Sequence, residues 1–343
     1  VSSEDGEWAV KYIDRATVLW DECKGLADDP SSPEMQRIEN YLRTVTEGLQ
    51  TSIDLWEEYL SNNGQNKIRV RRVLAQAYNK KLKHSSDNDD NQRQIERIVE
   101  LMESNMIEEP DNPANIRYWF EAIMRMRVDD PDKLVRDAIS KLNRWVALTD
   151  SIEPHFYRFI LKFLQAQQGS TRAQEDAKGL LRELKARASN EYNRTSMRYW
   201  LMNTGEGVAS LMPNAQFWRE HESNEESVSS LKQLTGRISN YYVNDGHAYI
   251  NWRGLDVFFN PSSTKGEITK NNINQRVKFG VGFSYDGPRA FNNSIHLLEA
   301  DDKETPTIQL KPGVVVKCEV IRHLEYFVRV KILGAEEENA SIY

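Results

Sequence analysis

The side chains best suited to catalysis or metal binding in this chain are its six histidines and two cysteines. The histidines stand at His84, His155, His221, His247, His296 and His323. They are not grouped at the short spacings typical of zinc ligands, and the sequence has no Gly-x-Ser-x-Gly, Walker or His-Glu-x-x-His pattern. Paired carboxylates carry no information in a chain with 52 acidic residues. We therefore expect no catalytic residue, no bound metal and no cofactor, and predict that the protein is not an enzyme.

The composition is that of a globular protein whose charge contacts must be local. The chain has 343 residues, of which 28% are charged, and a net charge of −7. This length predicts about two or three domains. No apolar run approaches the roughly 18 residues of a membrane span, so we expect no membrane contact. Two cysteines, Cys23 and Cys318, lie far apart, which favours a cytoplasmic location. The chain has no initial Met and no signal pattern, so we expect a piece of a longer protein.

Helical periodicity dominates the region before residue 213 and predicts two parts, an irregular helical region over 1–109 and a repeat region over 110–212. A first helix is expected over 5–28, and an apolar stripe from Met35 to Leu60 predicts a second. The stripe is heptad-like, so it fits either a coiled-coil seam or one face of a packed helical hairpin.

The repeat region shows the same pair of amphipathic patterns twice. The first patterns are at 116–124 and 156–164, and the second patterns are at 135–142 and 177–184. The offset is about 40 residues, which indicates an α-solenoid of helical pairs, and we favour irregular tetratricopeptide-like pairs over HEAT repeats. Residues 129–131 and 168–170 are the expected turns within the pairs.

The most basic stretch of this acidic chain is a predicted helix from Lys67 to His84. Its candidate contact residues are Arg71, Arg72, Lys80 and Lys81. They predict a contact with phosphate or with an acidic partner domain. The alternative is a solvated face whose long side chains cover apolar neighbours.

The repeat region is expected to end in a last helical piece, Ser196–Leu201, followed by a turn at 204–208 that docks it onto the next domain. Residues 213–230 are polar and acidic, and predict a linker. We therefore expect the two parts of the protein to be separable near Ser227.

Short β-prone runs separated by turn formers predict that the C-terminal third is all-β. Residues 244–246 and 253–254 are the turns of a strand meander that begins near Gly236. We predict a barrel domain over 231–334. Its two extra strands, near 313–320 and 326–333, should extend or cap the sheet. An acidic tail over 335–343 should be frayed.

At these residues the chain resembles cold-shock domains. GRISNYYVNDGHAYI is similar to their opening GKVKWFNxxKGFGFI, GLDVFFNPS to their GxDVFVHxS, VKFGVGF to their fourth strand and GPRAFN to their closing G-P-x-A-x-N. The resemblance implies an oligonucleotide/oligosaccharide-binding (OB) barrel that binds single strands across its second and third strands. Asn240, His247 and Asn260 replace the family's Trp, Phe and His, whereas Tyr249 and Phe258 keep aromatic rings on the matched positions.

A second resemblance comes from the order of the parts. Helical repeats, the stretch WLMNTGEG and the stretch KFGVGFSYDGP together look like the C-terminal region of the sterile-alpha-motif-domain antiviral factors and their prokaryotic STAND-NTPase relatives. This resemblance implies a cytosolic sensor or regulatory region. Its partners would be effector and NTPase domains of the same longer polypeptide.

The fold class predicted is therefore α+β and multidomain, with an N-terminal α-solenoid followed by a cold-shock-like OB β-barrel. In one functional hypothesis, Tyr249 and Phe258 stack on bases of single-stranded RNA or DNA, and His247, Asn240 and Asn260 complete the face. The cations expected near phosphates are Arg237, Arg253, Lys278 and Arg289. In the other hypothesis, the protein is an interaction and autoinhibitory scaffold. Both rings also fit core packing, because alternate residues of a strand face inward.

Overall fold

The protein is α+β, with N-terminal helices followed by a closed five-stranded β-barrel. The computed structural model describes residues 33–62, 67–82, 88–188, 193–203, 207–221, 224–242, 246–264, 268–298, 318–324, 327–332 and 339–342. The helix predicted over 5–28 lies outside these residues. Among the helices described, none has the length and apolarity needed to cross a membrane.

Seven helices build the first part of the described chain. They are α1 (Pro33–Ser61), α2 (Lys67–Leu82), α3 (Asn88–Glu108), α4 (Pro113–Arg125), α5 (Pro131–Val146), α6 (Glu153–Gln167) and α7 (Thr171–Arg187). Their apolar stripes are those of the sequence pattern, and each pattern predicted from 116 to 184 lies in a helix of its own. α1 packs against α2, as the hairpin interpretation of its stripe requires.

The predicted turns between these helices contain the side chains that start the next helix. Asp130 accepts a hydrogen bond at 2.8 Å from the backbone N–H of Lys133, and Pro131 fills the first helical position. Ser170 caps α7 in the same way, at 3.2 Å from the N–H of Ala173. Each cap satisfies a backbone donor that the first helical turn leaves without a partner.

The segment predicted as the last helix is instead a strand, β1 (Met197–Leu201). It pairs on one side with β2 (Leu211–Pro213) and on the other with a barrel strand. The run Met-Arg-Tyr-Trp-Leu is too short for its apolar period to distinguish a helix from a strand. Because β3 pairs with β6 only over 276–280, the backbone of β6 at 282–284 is left to pair with this run, which therefore forms a strand. The turn that follows does dock onto the helices, since the N–H of Val208 donates to the carbonyl of Met124 at 2.9 Å.

The segment predicted as a polar linker, 213–230, holds two short helices, α8 (Asn214–Glu220) and α9 (Asn224–Ser230). Phe217 is fully buried, and so are Ser227 and the following Leu231. Phe217 and Val228 thus pack this segment into a core with Trp200, Leu231 and Phe291. The expected point of separation, Ser227, lies inside the packed structure.

The barrel consists of five strands and closes on itself. They are β3 (Gln233–Tyr242), β4 (His247–Trp252), β5 (Leu255–Phe259), β6 (Arg276–Ser284) and β7 (Gly287–Ala290). The order around the barrel is β3-β4-β5-β7-β6, and β6 pairs with β3 to close it. All pairings are antiparallel except β5 with β7. This arrangement is compatible with the OB-like fold expected from the sequence.

The last described strands do not join the barrel. A two-residue strand, β8 (His296–Leu297), pairs with β6. Beyond it, β9 (Cys318–Leu324), β10 (Phe327–Ile332) and β11 (Asn339–Ile342) form a separate antiparallel sheet. The expected extension of the barrel sheet is therefore wrong for these strands. The tail predicted to fray supplies β11, because its backbone pairs with β10.

Helices and barrel share one hydrophobic core. The ring of Phe163 in α6 stacks on Trp252 of the barrel, with centroids 4.3 Å apart, and meets Phe283 edge-on at 5.0 Å. All three side chains are buried. Nearby, Gly287 adopts a positive φ of 111° against Leu181 of α7, a conformation that favours glycine. The continuity of this core makes the barrel dependent on the helices that cover it.

Candidate nucleic-acid interface

The two rings that match the cold-shock pattern in the sequence lie on the outside of the barrel. Tyr249 of β4 and Phe258 of β5 are direct cross-strand neighbours, with centroids 5.9 Å apart and planes at 80°. Both are half-buried, whereas the residues that alternate with them are buried. Those inward residues are Ala248, Ile250, Val257 and Phe259. The period of two along each strand therefore turns Tyr249 and Phe258 away from the core.

Two further rings complete a cluster on this face. His247 is near-parallel to Phe258 at 6.1 Å and meets Tyr249 edge-on at 5.6 Å. Tyr242, at the end of β3, packs on His247 at 4.7 Å and is 46% exposed. Sequence reasoning missed Tyr242, although the turn predicted at 244–246 brings the end of β3 next to the start of β4, where Tyr242 pairs with His247. Below, "ring cluster" means Tyr242, His247, Tyr249 and Phe258.

Arg289 is the predicted cation that the fold brings to the ring cluster. β7 runs parallel to β5 and sets Arg289 opposite Phe258, with the guanidinium carbon 4.1 Å from the ring centroid. This distance is that of a cation–π contact. Burial lowers the pKa of Arg289, while the charge of Asp286 acts in the opposite direction. An arginine keeps its positive charge under such shifts, so a fixed cation lies over one ring.

The two predicted asparagines flank the rings. Asn240 is exposed on β3, directly opposite Tyr249. Asn260 follows β5, and its side-chain oxygen accepts hydrogen bonds from the N–H and hydroxyl of Ser262, at 3.0 and 2.7 Å. Its backbone N–H donates to Asn292 at 3.2 Å. The replacement of the family's Trp and His by amides thus leaves polar groups at the margins of the ring cluster.

The other predicted cations lie elsewhere. Arg237 on β3 donates to the carbonyl of Asn274 at 3.1 Å, and Lys278 is exposed on β6, the neighbouring strand. Arg253 occupies the turn between β4 and β5 and donates to the carbonyl of Ala166 in α6 at 2.5 Å. Its guanidinium therefore serves the contact between barrel and helices.

Acidic side chains, as well as Arg289, lie near the ring cluster. Burial raises the pKa of Tyr249, and the charges of Asp286 and Asp256 raise it further. Asp286 also forms an ion pair with Arg194 at 2.7 Å. A negative potential thus reaches the rings and offsets part of the charge of Arg289.

The basic helix predicted as a phosphate or partner contact is largely engaged within the protein. Arg71 bonds Glu108 at 2.5 Å, Arg72 bonds Glu109, and Lys81 bonds Asp90 at 2.9 Å. The fourth candidate, Lys80, is half-buried on the same helix. These acids come from α3 and its C-terminal end. These ion pairs join α2 to α3 and its end, an arrangement that neither the predicted phosphate or partner contact nor the solvated-face alternative includes.

A cleft of about 400 Å³ opens at one end of the ring cluster. Phe258 and Arg289 line it from the barrel, and Trp218 lines it from α8. Trp218 is 50% exposed. Sequence reasoning placed this tryptophan in a linker and so gave it no role. Its position depends on the long-range pairing of β1 with β6, which no local pattern indicates.

Comparison with known proteins adds no relationship to this geometry. No family model matches the chain, and no curated protein is detectably similar to it. Within the described residues, no group of three or more His, Cys, Asp or Glu side chains is arranged to hold a metal ion. Interpretation of the site therefore depends on its own chemistry.

Proposed function

We propose that the barrel binds single-stranded nucleic acid, RNA in the first instance, through the ring cluster and Arg289. The observation that supports this most is the outward position of Tyr249 and Phe258 beside a stacked guanidinium. Solvent-facing rings on neighbouring strands are the platforms on which bases stack in single-strand-binding barrels. The core does not need these rings, because Ile250 and Val257 already fill the inside of the same strands.

The proposed binding is weak. Each base–aromatic stack contributes about 1–3 kcal/mol, and part of each ring here is covered by its neighbours. Micromolar affinity corresponds to about −8 kcal/mol, which two or three such stacks and one cation can supply. Since one or two phosphate contacts are expected, the slope of log K against log salt should be about −0.7 to −1.4.

The test is fluorescence anisotropy with a labelled single strand and the double variant Tyr249→Leu, Phe258→Leu. Leucine keeps apolar bulk on the strands but removes the stacking surface. We expect affinity to fall at least tenfold, about the loss of one stack. The melting temperature should change little, because both side chains face outward. Tyr59→Leu is the matched control, since Tyr59 is an exposed ring on α1, 39% accessible and remote in sequence.

Wild-type protein that fails to bind any single strand at low salt contradicts the proposal. So does a double variant that binds as wild type. If the double variant loses binding only together with a lowered melting temperature, the outward placement of the rings is wrong.

The wider assignment is also a proposal and rests on resemblance. We propose tetratricopeptide-like pairing of the helices, an OB-type barrel, and a sensor or regulatory role within a cytosolic antiviral defence protein. Contacts between helices two apart, α2 with α4 and α4 with α6, support a stacked array. Sequencing the full reading frame tests the role, since an upstream NTPase is expected and a different upstream domain would refute it.

One observation favours a second candidate, a protein-docking face. Tyr242, Tyr249 and the adjacent Arg289 are of the residue types enriched in protein interface hot spots. In that case the double leucine variant would lose a protein partner, while no oligonucleotide would bind at any salt concentration.

A further inference from the structure

The cleft beside the ring cluster is lined by aromatic rings and by asparagines. Trp218 and Phe291 lie 5.7 Å apart between centroids, with planes at 41°. The indole N–H of Trp218 donates to Asn214 at 3.1 Å, which fixes the ring while leaving half of its surface exposed. The volume of about 400 Å³ lies within the range of small-ligand sites.

The cleft is continuous with the proposed binding face. Phe258 and Arg289 belong to both, since they contact each other in the ring cluster and also line the cleft. Exposed rings occur at both ends of this surface, Tyr242 at one and Trp218 at the other. A chain of bases that leaves Phe258 in this direction enters the cleft directly.

Hydrogen-bond donors in the cleft are available to a ligand. The side chains of Asn260, Asn292 and Asn293 line it. Asn260 and Asn292 use their oxygens as acceptors, and in the described part of the chain none of the three amide nitrogens donates a hydrogen bond. Carboxamides are the side chains that read the edges of bases by paired donor and acceptor groups.

We propose that this cleft holds one nucleobase at the end of a single strand bound on the barrel, with Trp218 stacked on the base and the three asparagines in contact with its edge. The proposal rests on the proposed function. Its occupant is a base rather than a phosphate, because Arg289 is the one charged side chain among the described residues that line the cleft. The stacking residue comes from α8 and two of the asparagines come from the loop after β7, beside the barrel strands that supply Phe258 and Arg289.

The length of the bound strand provides the test. Anisotropy is measured with homopolymeric RNA oligonucleotides that grow by one nucleotide at a time, starting from about four, the smallest site of such barrels. Wild-type affinity should rise by a distinct step when the strand reaches the cleft. Trp218→Leu should remove that step, about five- to tenfold in affinity, and leave the shortest oligonucleotides unaffected. Trp218→Phe should restore most of it, and Tyr59→Leu should not change it.

The outcomes separate the subsite from the proposed function. Binding that depends on Tyr249 and Phe258 but not on Trp218 overturns the subsite alone. No binding by wild type overturns both. Because Trp218 also packs on Phe217, each variant is checked by thermal melting. If Trp218→Leu is destabilised, Asn293→Ala is used instead, since it removes an edge contact from a half-buried side chain; an unchanged affinity step in that variant overturns the subsite.

Discussion

Replacing Phe163 with Ala should destabilise helices and barrel together. Phe163 belongs to α6, yet its closest ring partners are Trp252 and Phe283 of the barrel. It is fully buried, and so is Phe159 beside it. Because the side chain is enclosed on all sides, its neighbours can fill little of the cavity that alanine would leave. We therefore expect the loss to lie in the upper part of the range for Phe→Ala, about 4–5 kcal/mol out of a total stability of about 5–15 kcal/mol.

The assay is urea unfolding followed by circular dichroism, combined with hydrogen exchange resolved by peptide. Peptides from α6 and from β4 should lose protection by the same free energy, because one core joins them. Ile107→Ala is the control, since Ile107 is 79% exposed on α3 and its truncation should cost about 0.5 kcal/mol or less. Helical peptides that lose protection while barrel peptides keep wild-type values would refute the shared core.

Two further predictions concern the loss of the helices that cover the barrel and the burial of Glu153 in α6. A fragment that begins at Leu231 lacks β1 and uncovers Trp252, so we expect it to be insoluble or partly unfolded; a cooperative melt of that fragment by circular dichroism would contradict this. Burial raises the pKa of Glu153 against the hydrogen bonds that lower it. Protonated Glu153 therefore stabilises the folded protein. This stabilisation is fully present below the unfolded pKa of 4.5 and is lost as the pH rises through the higher pKa of the folded state. As the pH is raised from 4.5, the melting temperature of Glu153→Gln should therefore fall less than that of wild type. An equal fall in both proteins would contradict the raised pKa.

Strong local periodicity made most of the helices predictable. The pattern at 116–124 repeats apolar residues at helical spacing, as an amphipathic helix requires. The pattern at 156–164 is apolar on nearly every side, because helices and barrel both cover that helix. The strands of the barrel were predictable for a related reason, since short β-prone runs bounded by turns admit few alternatives. The resemblance to cold-shock domains predicted that these strands form a barrel.

The wrong predictions concern segments whose structure is determined by long-range contacts. Met197–Leu201 is short and apolar, and it becomes a strand because an edge of β6 is open to it. The segment from 213 to 230 is mostly polar, yet Phe217 and Val228 pack it into a core. Such outcomes depend on tertiary partners that a local pattern does not contain.

In the candidate site, too, the sequence predicts the residues that belong to a local pattern and not those that long-range contacts bring in. The sequence identifies Tyr249 and Phe258 but fits both a core and a solvent-facing position for them. Their alternation with buried neighbours in the structure decides for the solvent-facing position. Arg289 was named among four cations, and the parallel pairing of β5 with β7 singles it out. Trp218 comes from an element distant in sequence, so nothing near it indicated a site.

Photocrosslinking of a thiouridine-containing single strand, followed by mass spectrometry of the adducts, tests the central claim most directly. Adducts should map to β4 and β5, on peptides containing Tyr249 or Phe258, and excess unlabelled strand should abolish them. Adducts confined to the helices, or unaffected by the competitor, would contradict a nucleic-acid interface on the outer face of the barrel.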